Sequence, residues 1–310
     1  MEPGKDTTMN KRHIFIIFLE CFLAMGCSHH SHGDEELIPI QLATSIQARS
    51  AIDRFEKTQL SLIVGKSKNE MNEQWAGIAD GGQVKLTPER YYPSDGSTLY
   101  LRGFYPQAEM DHNMVHYNLT GNEDLLFADV LAGSSAHHFN GKNETLAFRH
   151  LLAQLNVNLK ADSSFPTEYR LKSVCIKGTS TDANLDLLQG TLSFANKSFP
   201  LFLYRADSHE EGYPLMPNES ISLGSLLVQP GALLTVDIAL SQDDKMEHDL
   251  TINDIPIKFE GGSSQTGLAY QVEIRIPTPL HLYATLGEWT DGNNGTGNVV
   301  VPGNKSKEFP

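Results

Sequence analysis

Tyr270-Gln271-Val272-Glu273-Ile274-Arg275-Ile276 decides the fold class. Tyr270, Val272, Ile274 and Ile276 fall on one side of an extended chain, and Gln271, Glu273 and Arg275 fall on the other. This is a half-buried antiparallel strand with one wet face. The same two-residue period recurs along the chain, in Leu60-Ser61-Leu62-Ile63-Val64, Thr98-Leu99-Tyr100-Leu101, Asn156-Val157-Asn158-Leu159, Leu234-Thr235-Val236-Asp237-Ile238 and Leu250-Thr251-Ile252. Gly, Pro, Asn and Asp bound these segments as turn residues do. Helix-period stretches are scarce. Leu146 to Leu155 is the one segment open to either reading, and periodicity alone does not separate them. The strand is preferred, because the alternation continues from Gln154 to Leu159. Short strands with regular turn signals predict an all-β chain of β-sandwiches.

The chain has 310 residues, a length for about two domains. The polar stretch Ser134 to Glu144 is the best boundary. It divides the body into residues 37–142 and 143–310. Hydrophobic residues make up 40% of the chain, enough for a core. The formal net charge of −14 repels phosphate backbones and argues against nucleic acid as a partner. The tail from Gly292 is rich in Gly and Asn, with one short strand through Asn298-Val299-Val300-Val301.

The N-terminal segment reads as an address. Lys11 and Arg12 precede an apolar run from Ile14 to Met25, too short to span a bilayer comfortably, and residues 1–26 fit a signal peptide with Met9 as a plausible start. Leu23-Ala24-Met25-Gly26-Cys27 resembles a lipobox, although its leucine stands four residues before the cysteine and not three. Cleavage there would leave Cys27 to be acylated, and its several chains would anchor the protein firmly. Ordinary signal-peptidase cleavage is the alternative. Residues 27–36 then form a polar tether. Its His29, His30 and His32 are read as solvated, with metal binding as the alternative.

Of the three cysteines, Cys175 alone lies in the body, so no internal disulfide forms there. Its setting, Leu-Lys-Ser-Val-Cys-Ile, is that of a small buried hydrophobe. No nucleophile elbow, H-E-x-x-H, Walker A or dinucleotide loop occurs, and no cofactor or metal is expected. Asp243, Asp244 and Glu247 lack the spacing of a calcium loop. His137 and His138 are read as surface-loop residues and His150 as a satisfied histidine near the core. Trp75 and Trp289 are read as packing residues. Trp75 with Tyr91 and Tyr92 could instead line a glycan-binding surface.

Several patches together resemble the fimbrillin family of Bacteroidetes. They are Tyr91-Tyr92-Pro93 through Gly103-Phe104-Tyr105-Pro106, Glu123-Asp124-Leu125-Leu126-Phe127-Ala128, Phe148-Arg149-His150-Leu151-Leu152-Ala153-Gln154-Leu155, Gly267 to Ile274, and Ala284-Thr285-Leu286-Gly287-Glu288-Trp289. Their order and spacing match from about Ile38 to Trp289. The resemblance implies two tandem transthyretin-like, Greek-key β-sandwiches and export as an outer-membrane lipoprotein, to which the acidic Asp34-Glu35-Glu36 also fits. In polymerising members a protease removes the first strand after an arginine, and a strand from a neighbouring subunit fills the groove. That is strand addition, with main-chain bonds giving affinity and alternate pockets giving specificity. Here the removable strand would be Leu37 to Ala43, with Ile38, Ile40 and Leu42 facing the core. Arg49 stands where the cleavable arginine would be, with Arg54 as the alternative. The implied partners are other fimbrial subunits. The rival expectation is a monomeric surface lipoprotein that binds a host protein or glycan. Neither is an enzyme.

Overall fold

Alternation and turn chemistry produce nineteen strands in the computed structural model, which describes residues 37–47, 52–139, 144–207, 212–242, 249–276 and 283–287, the last as backbone alone. The protein is all-β, and no helix occurs among the described residues. The first eight strands are β1 (Leu42–Ile46), β2 (Thr58–Ser67), β3 (Glu70–Asp80), β4 (Gln83–Thr87), β5 (Leu99–Tyr105), β6 (Met114–Asn118), β7 (Leu126–Gly133) and β8 (Thr145–His150). Seven of them pair in the order β1-β4-β3-β2-β5-β7-β8, and β1 closes the ring by pairing with both β4 and β8. The turn between β3 and β4 is Gly81-Gly82, with φ of 56° and 84°. Both central residues of this tight hairpin need positive φ, which glycine adopts without strain. Inside the ring, Leu60, Leu62, Leu101, Leu126, Leu146 and Phe148 lose all exposure.

The remaining strands are β9 (Ala153–Ala161), β10 (Arg170–Lys177), β11 (Asp182–Asp186), β12 (Thr191–Phe194), β13 (Leu201–Arg205), β14 (Tyr213–Pro214), β15 (Ser220–Val228), β16 (Thr235–Ser241), β17 (Asp249–Pro256), β18 (Ala269–Ile276) and β19 (Tyr283–Gly287). One sheet runs β13-β10-β16-β17, with β14 beside β10, and another runs β15-β9-β18-β19. They share a core in which Val174, Val236 and Ile238 of the first meet Leu155, Val157 and Ile274 of the second. In β18, Tyr270, Val272, Ile274 and Ile276 are buried, and the three polar residues between them are not.

A third core joins these parts. Ile63, Phe104 and Phe127 from the ring meet Leu151, Leu152 and Leu227, together with Ala183 and Leu185 of the small sheet β12-β11-β6. The described residues from Ile38 onward accordingly belong to one compact unit. Because Ile63 reaches this third core, β2 is buried on both faces from Leu60 to Val64 and not on one.

The segment Leu146 to Leu155 is strand on both sides of a break, not one continuous strand. Leu146, Phe148 and His150 are the buried set of β8, whereas Ala153, Leu155 and Val157 are buried in β9. The buried phase moves from even to odd positions. A strand has a period of two, so it cannot change phase without a kink or a change of sheet. The chain does the latter at Leu151-Leu152. Thr145 to His150 therefore belong with the first ring, beyond the polar stretch Ser134 to Glu144.

Candidate functional site

The site is the first described segment and the wall it completes. Ile40 and Leu42 are 6% and 3% exposed, Ile38 is half-buried against the same core, and Pro39 and Gln41 between them face out. On one side β1 runs parallel to β8, from Ala43 opposite Thr145 to Ile46 opposite Phe148. Gln47 N–H donates to Phe148 O at 2.9 Å, and the Thr44 hydroxyl donates to Leu146 O at 3.2 Å. On the other side the antiparallel pairing with β4 covers Leu42 with Val84 and Ala43 with Gln83, and Thr44 N–H then donates to Gly82 O at 2.9 Å.

Toward the N-terminus this register is lost. Continued from Leu42 and Val84, it would set Pro39 opposite Thr87, yet Pro39 faces Tyr91, four residues further on. Ile40 N–H donates to Arg90 O at 2.8 Å, and Tyr92 N–H donates to Ile38 O at 3.0 Å. Lys85 to Glu89 therefore bow away from β1. A cavity of about 730 Å³ opens between Ile40-Gln41-Leu42 and Gln83 to Glu89.

The aromatic residues nearby are packing elements. Trp75 is buried, Arg90 lies 5.0 Å over its ring, and its Nε1–H donates to Glu73 at 3.0 Å. Tyr92 is buried, and its hydroxyl accepts Phe139 N–H at 2.6 Å. Burial raises its pKa above the ordinary tyrosine value, offset in part by that hydrogen bond. Tyr91 alone is exposed, and it donates to Glu89 at 2.8 Å. The three rings do not assemble into one open platform. His138 stacks on Tyr92 at 5.2 Å, and His137 is exposed.

The two arginines differ in what can be described. Arg49 lies outside the described residues, as do Cys27, the histidine tether, the Asp243-Asp244-Glu247 turn and Trp289. Arg54 is exposed and pairs with Glu56 at 2.7 Å. Phe55, next to it, is only 4% exposed and stands edge-on to Phe148 at 5.1 Å and to Tyr105 at 6.0 Å.

Two buried groups complete the inventory. Burial, then the Asp237 carboxylate, pushes the Cys175 thiol upward, which suits a packing residue. His150 Nδ1 meets both oxygens of Asp124 at 2.9 and 3.0 Å, with side chains 1% and 2% exposed. Its Nε2 has no partner among the described residues, so the histidine is satisfied on one nitrogen only. Asp124 lies 26 residues away in sequence, and no local signal ties the two together. Among the described residues no group of His, Cys, Asp and Glu could hold a metal ion.

Known proteins agree with this architecture. A candidate cell-adhesion protein from Bacteroides uniformis superimposes with a TM-score of 0.57 at 15% identity, covering 82% of this chain and 99% of that one. One from Parabacteroides distasonis gives 0.53 at 11% identity, covering 86% and 98%. One from Bacteroides ovatus gives 0.51 at 13%, covering 83% and 99%. At such identities the likeness establishes the fold alone. No curated protein matches the chain. The family model described as fimbrillin-like matches residues 49–289. The chain belongs to the fimbrillin-like family, and that family implies a place at the cell surface and assembly with other fimbrial subunits.

Proposed function

We propose that the chain is a fimbrial subunit or accessory adhesin, anchored in the outer membrane through acylated Cys27, that assembles by exchange of its first strand. The carrying observation is that Ile40 and Leu42 fill the core of a ring that their own strand closes. Burying two such side chains stabilises the ring by roughly 3–6 kcal/mol. Removal of the segment would expose core and the unpaired edges of β4 and β8, a strong drive to take up another strand. The body then comprises an N-terminal ring and a C-terminal sandwich as two domains that meet at Leu151-Leu152.

Arg49 is the preferred processing site. Cleavage after Arg54 would set a new charged amino terminus on Phe55, whose ring is packed in the core, and burying such a charge is costly. Cleavage after Arg49 leaves Phe55 within the chain.

The test is to purify the protein from native membranes, sequence its N-terminus and measure its size. A start at Ser50 in multimers supports the reading. Acylated Cys27 and an intact Leu37–Arg49 in every molecule, all monomeric, would overturn it. The rival reading, a monomeric lipoprotein that binds host protein or glycan, draws on Phe199 and Phe202, 57% and 44% exposed beside a depression of about 350 Å³.

A further inference from the structure

The gap between β1 and β4 has a consequence for how the first strand is exchanged, and it rests on the exchange reading above. In the β3–β4 hairpin, Asp80 and Gln83 flank the two-residue turn, and Ile78 pairs with Lys85 and Ala76 with Thr87. Antiparallel pairing alternates, so Lys85 and Thr87 turn their main-chain groups toward β3. Val84 and Leu86 turn theirs toward β1. Val84 meets Leu42 there, but Ile40, which would meet Leu86, gives its N–H to Arg90 O instead. The main chain of Leu86 thus faces a cavity of about 730 Å³ with no strand opposite it. Pro39 and Pro88 flank the opening, and neither has an N–H with which to close the ladder. Several core residues at its rim, Ile40, Leu42, Val84 and Leu86, keep 3–7% exposure, whereas Leu60, Leu62 and Leu101 deeper in the same core keep none.

We propose that this breach is the entry point for strand exchange: an extended segment of a neighbouring fimbrial subunit pairs first with Leu86 in the gap and then displaces β1 from Leu42 toward Ile46. The occupant is a strand because the gap offers the main chain of Leu86, next in the ladder after the Leu42–Val84 pair, beside the buried side chains of Val84 and Leu86. The incoming strand gains each bond as the resident loses one, so the resident need not leave first.

The test uses the full chain with a site-specific protease sequence in the link after Gln47, nicked in solution, with a dye on the resident strand. The invader is a synthetic peptide of the Ile38–Gln47 sequence. Dye loss should rise with peptide concentration, to about tenfold over spontaneous loss, the factor that about 1.4 kcal/mol represents. The short peptide Ala43–Gln47, which does not reach the gap, should give no acceleration. Gln41→Trp, at an exposed position lining the opening, should lower peptide-driven loss about tenfold relative to the spontaneous loss of the same variant. Loss that is independent of peptide concentration means that the resident leaves first, which overturns the entry point and leaves the exchange reading intact. Acceleration by the short peptide alone places entry at β8 and also overturns it. No loss under any condition sinks the entry point and the exchange reading together.

Discussion

β1 and β9 are the first strands of the ring and of the sandwich, and they are held in opposite ways. β9 lies between two neighbours for nearly its whole length, with Ala153 to Lys160 paired to β15 and Gln154 to Ala161 paired to β18. β1 has four registered pairs with β8 and two with β4, and then loses register. Each strand has one parallel neighbour, β8 for β1 and β18 for β9, so the topologies are alike and the difference lies in the second neighbour. A strand clamped on both edges is an axle, and a strand clamped on one and a half is a closure. The same alternating sequence pattern serves both. Which role it plays is set by partners far away in the chain.

The largest expected effect therefore falls on the axle. Val157→Asp puts an unpaired charge at a position 1% exposed in the sandwich core, between two paired edges. Domain stability is typically about 5–15 kcal/mol, and a buried lone charge costs several of these. The variant should fail to give a cooperatively folded C-terminal half by circular dichroism and thermal melting. A variant that melts like the parent would mean that β9 is not the axle.

Next is the joint between the two parts. Asp124→Ala leaves His150 buried without its partner, and breaking a buried pair costs about 3–5 kcal/mol. His150 ends β8, and Leu151 N–H, one residue on, donates to Leu125 O at 2.8 Å. Gly267 N–H donates to Leu152 O at 2.9 Å, so the ring and the sandwich meet within three residues of the pair. Denaturant melts followed separately in each half should both shift to lower midpoints. A shift confined to the ring would show that the joint does not couple them.

Ile40→Asp comes third, and it tests the closure. The expected loss is about 2–4 kcal/mol in the intact chain, less than in the axle because the side chain borders the gap and reaches water with small adjustments. Thermal melting of the ring checks this. After removal of the segment the parent and the variant are the same molecule and must melt alike. An unchanged melting temperature in the intact chain would break the assignment of Ile40 to the core.

The axle was legible in the sequence, and the closure's gap was not. Tyr270 to Ile276 and Asn156 to Leu159 show their buried faces in the residues alone, because alternation is a local property. The buried phase change across His150 to Ala153 was also written there, but it becomes visible only once each residue's face is known. The four residues of slack between β1 and β4 are different. They depend on which residues of two distant strands face each other, and Pro39 and Pro88 look like ordinary turn or edge residues until the strands are placed side by side. His150 carried an apolar context that marked it as buried, yet its pairing with Asp124 is a tertiary event with no local sign. The inward face of the first segment, Ile38, Ile40 and Leu42, was readable as alternation. That the segment is exchanged is an inference from how weakly the wall holds it.

The smallest expected effect separates the two arginines at the closure's end. Arg54 is exposed, and its bond to Glu56 is a surface pair, of the kind that contributes about 0–1 kcal/mol. Arg54→Ala should leave the melting temperature within experimental error, and processing in the native host should still yield a chain that starts at Ser50. Arg49→Ala should abolish that product and leave the chain joined to its first strand and its anchor. The two substitutions remove the same charge five residues apart, so a change in net charge or solubility cannot mimic the difference. If the new terminus appears at Phe55 and disappears with Arg54→Ala, a core aromatic tolerates becoming a charged end. The closure would then extend beyond β1 to include the ring's packing on Phe148.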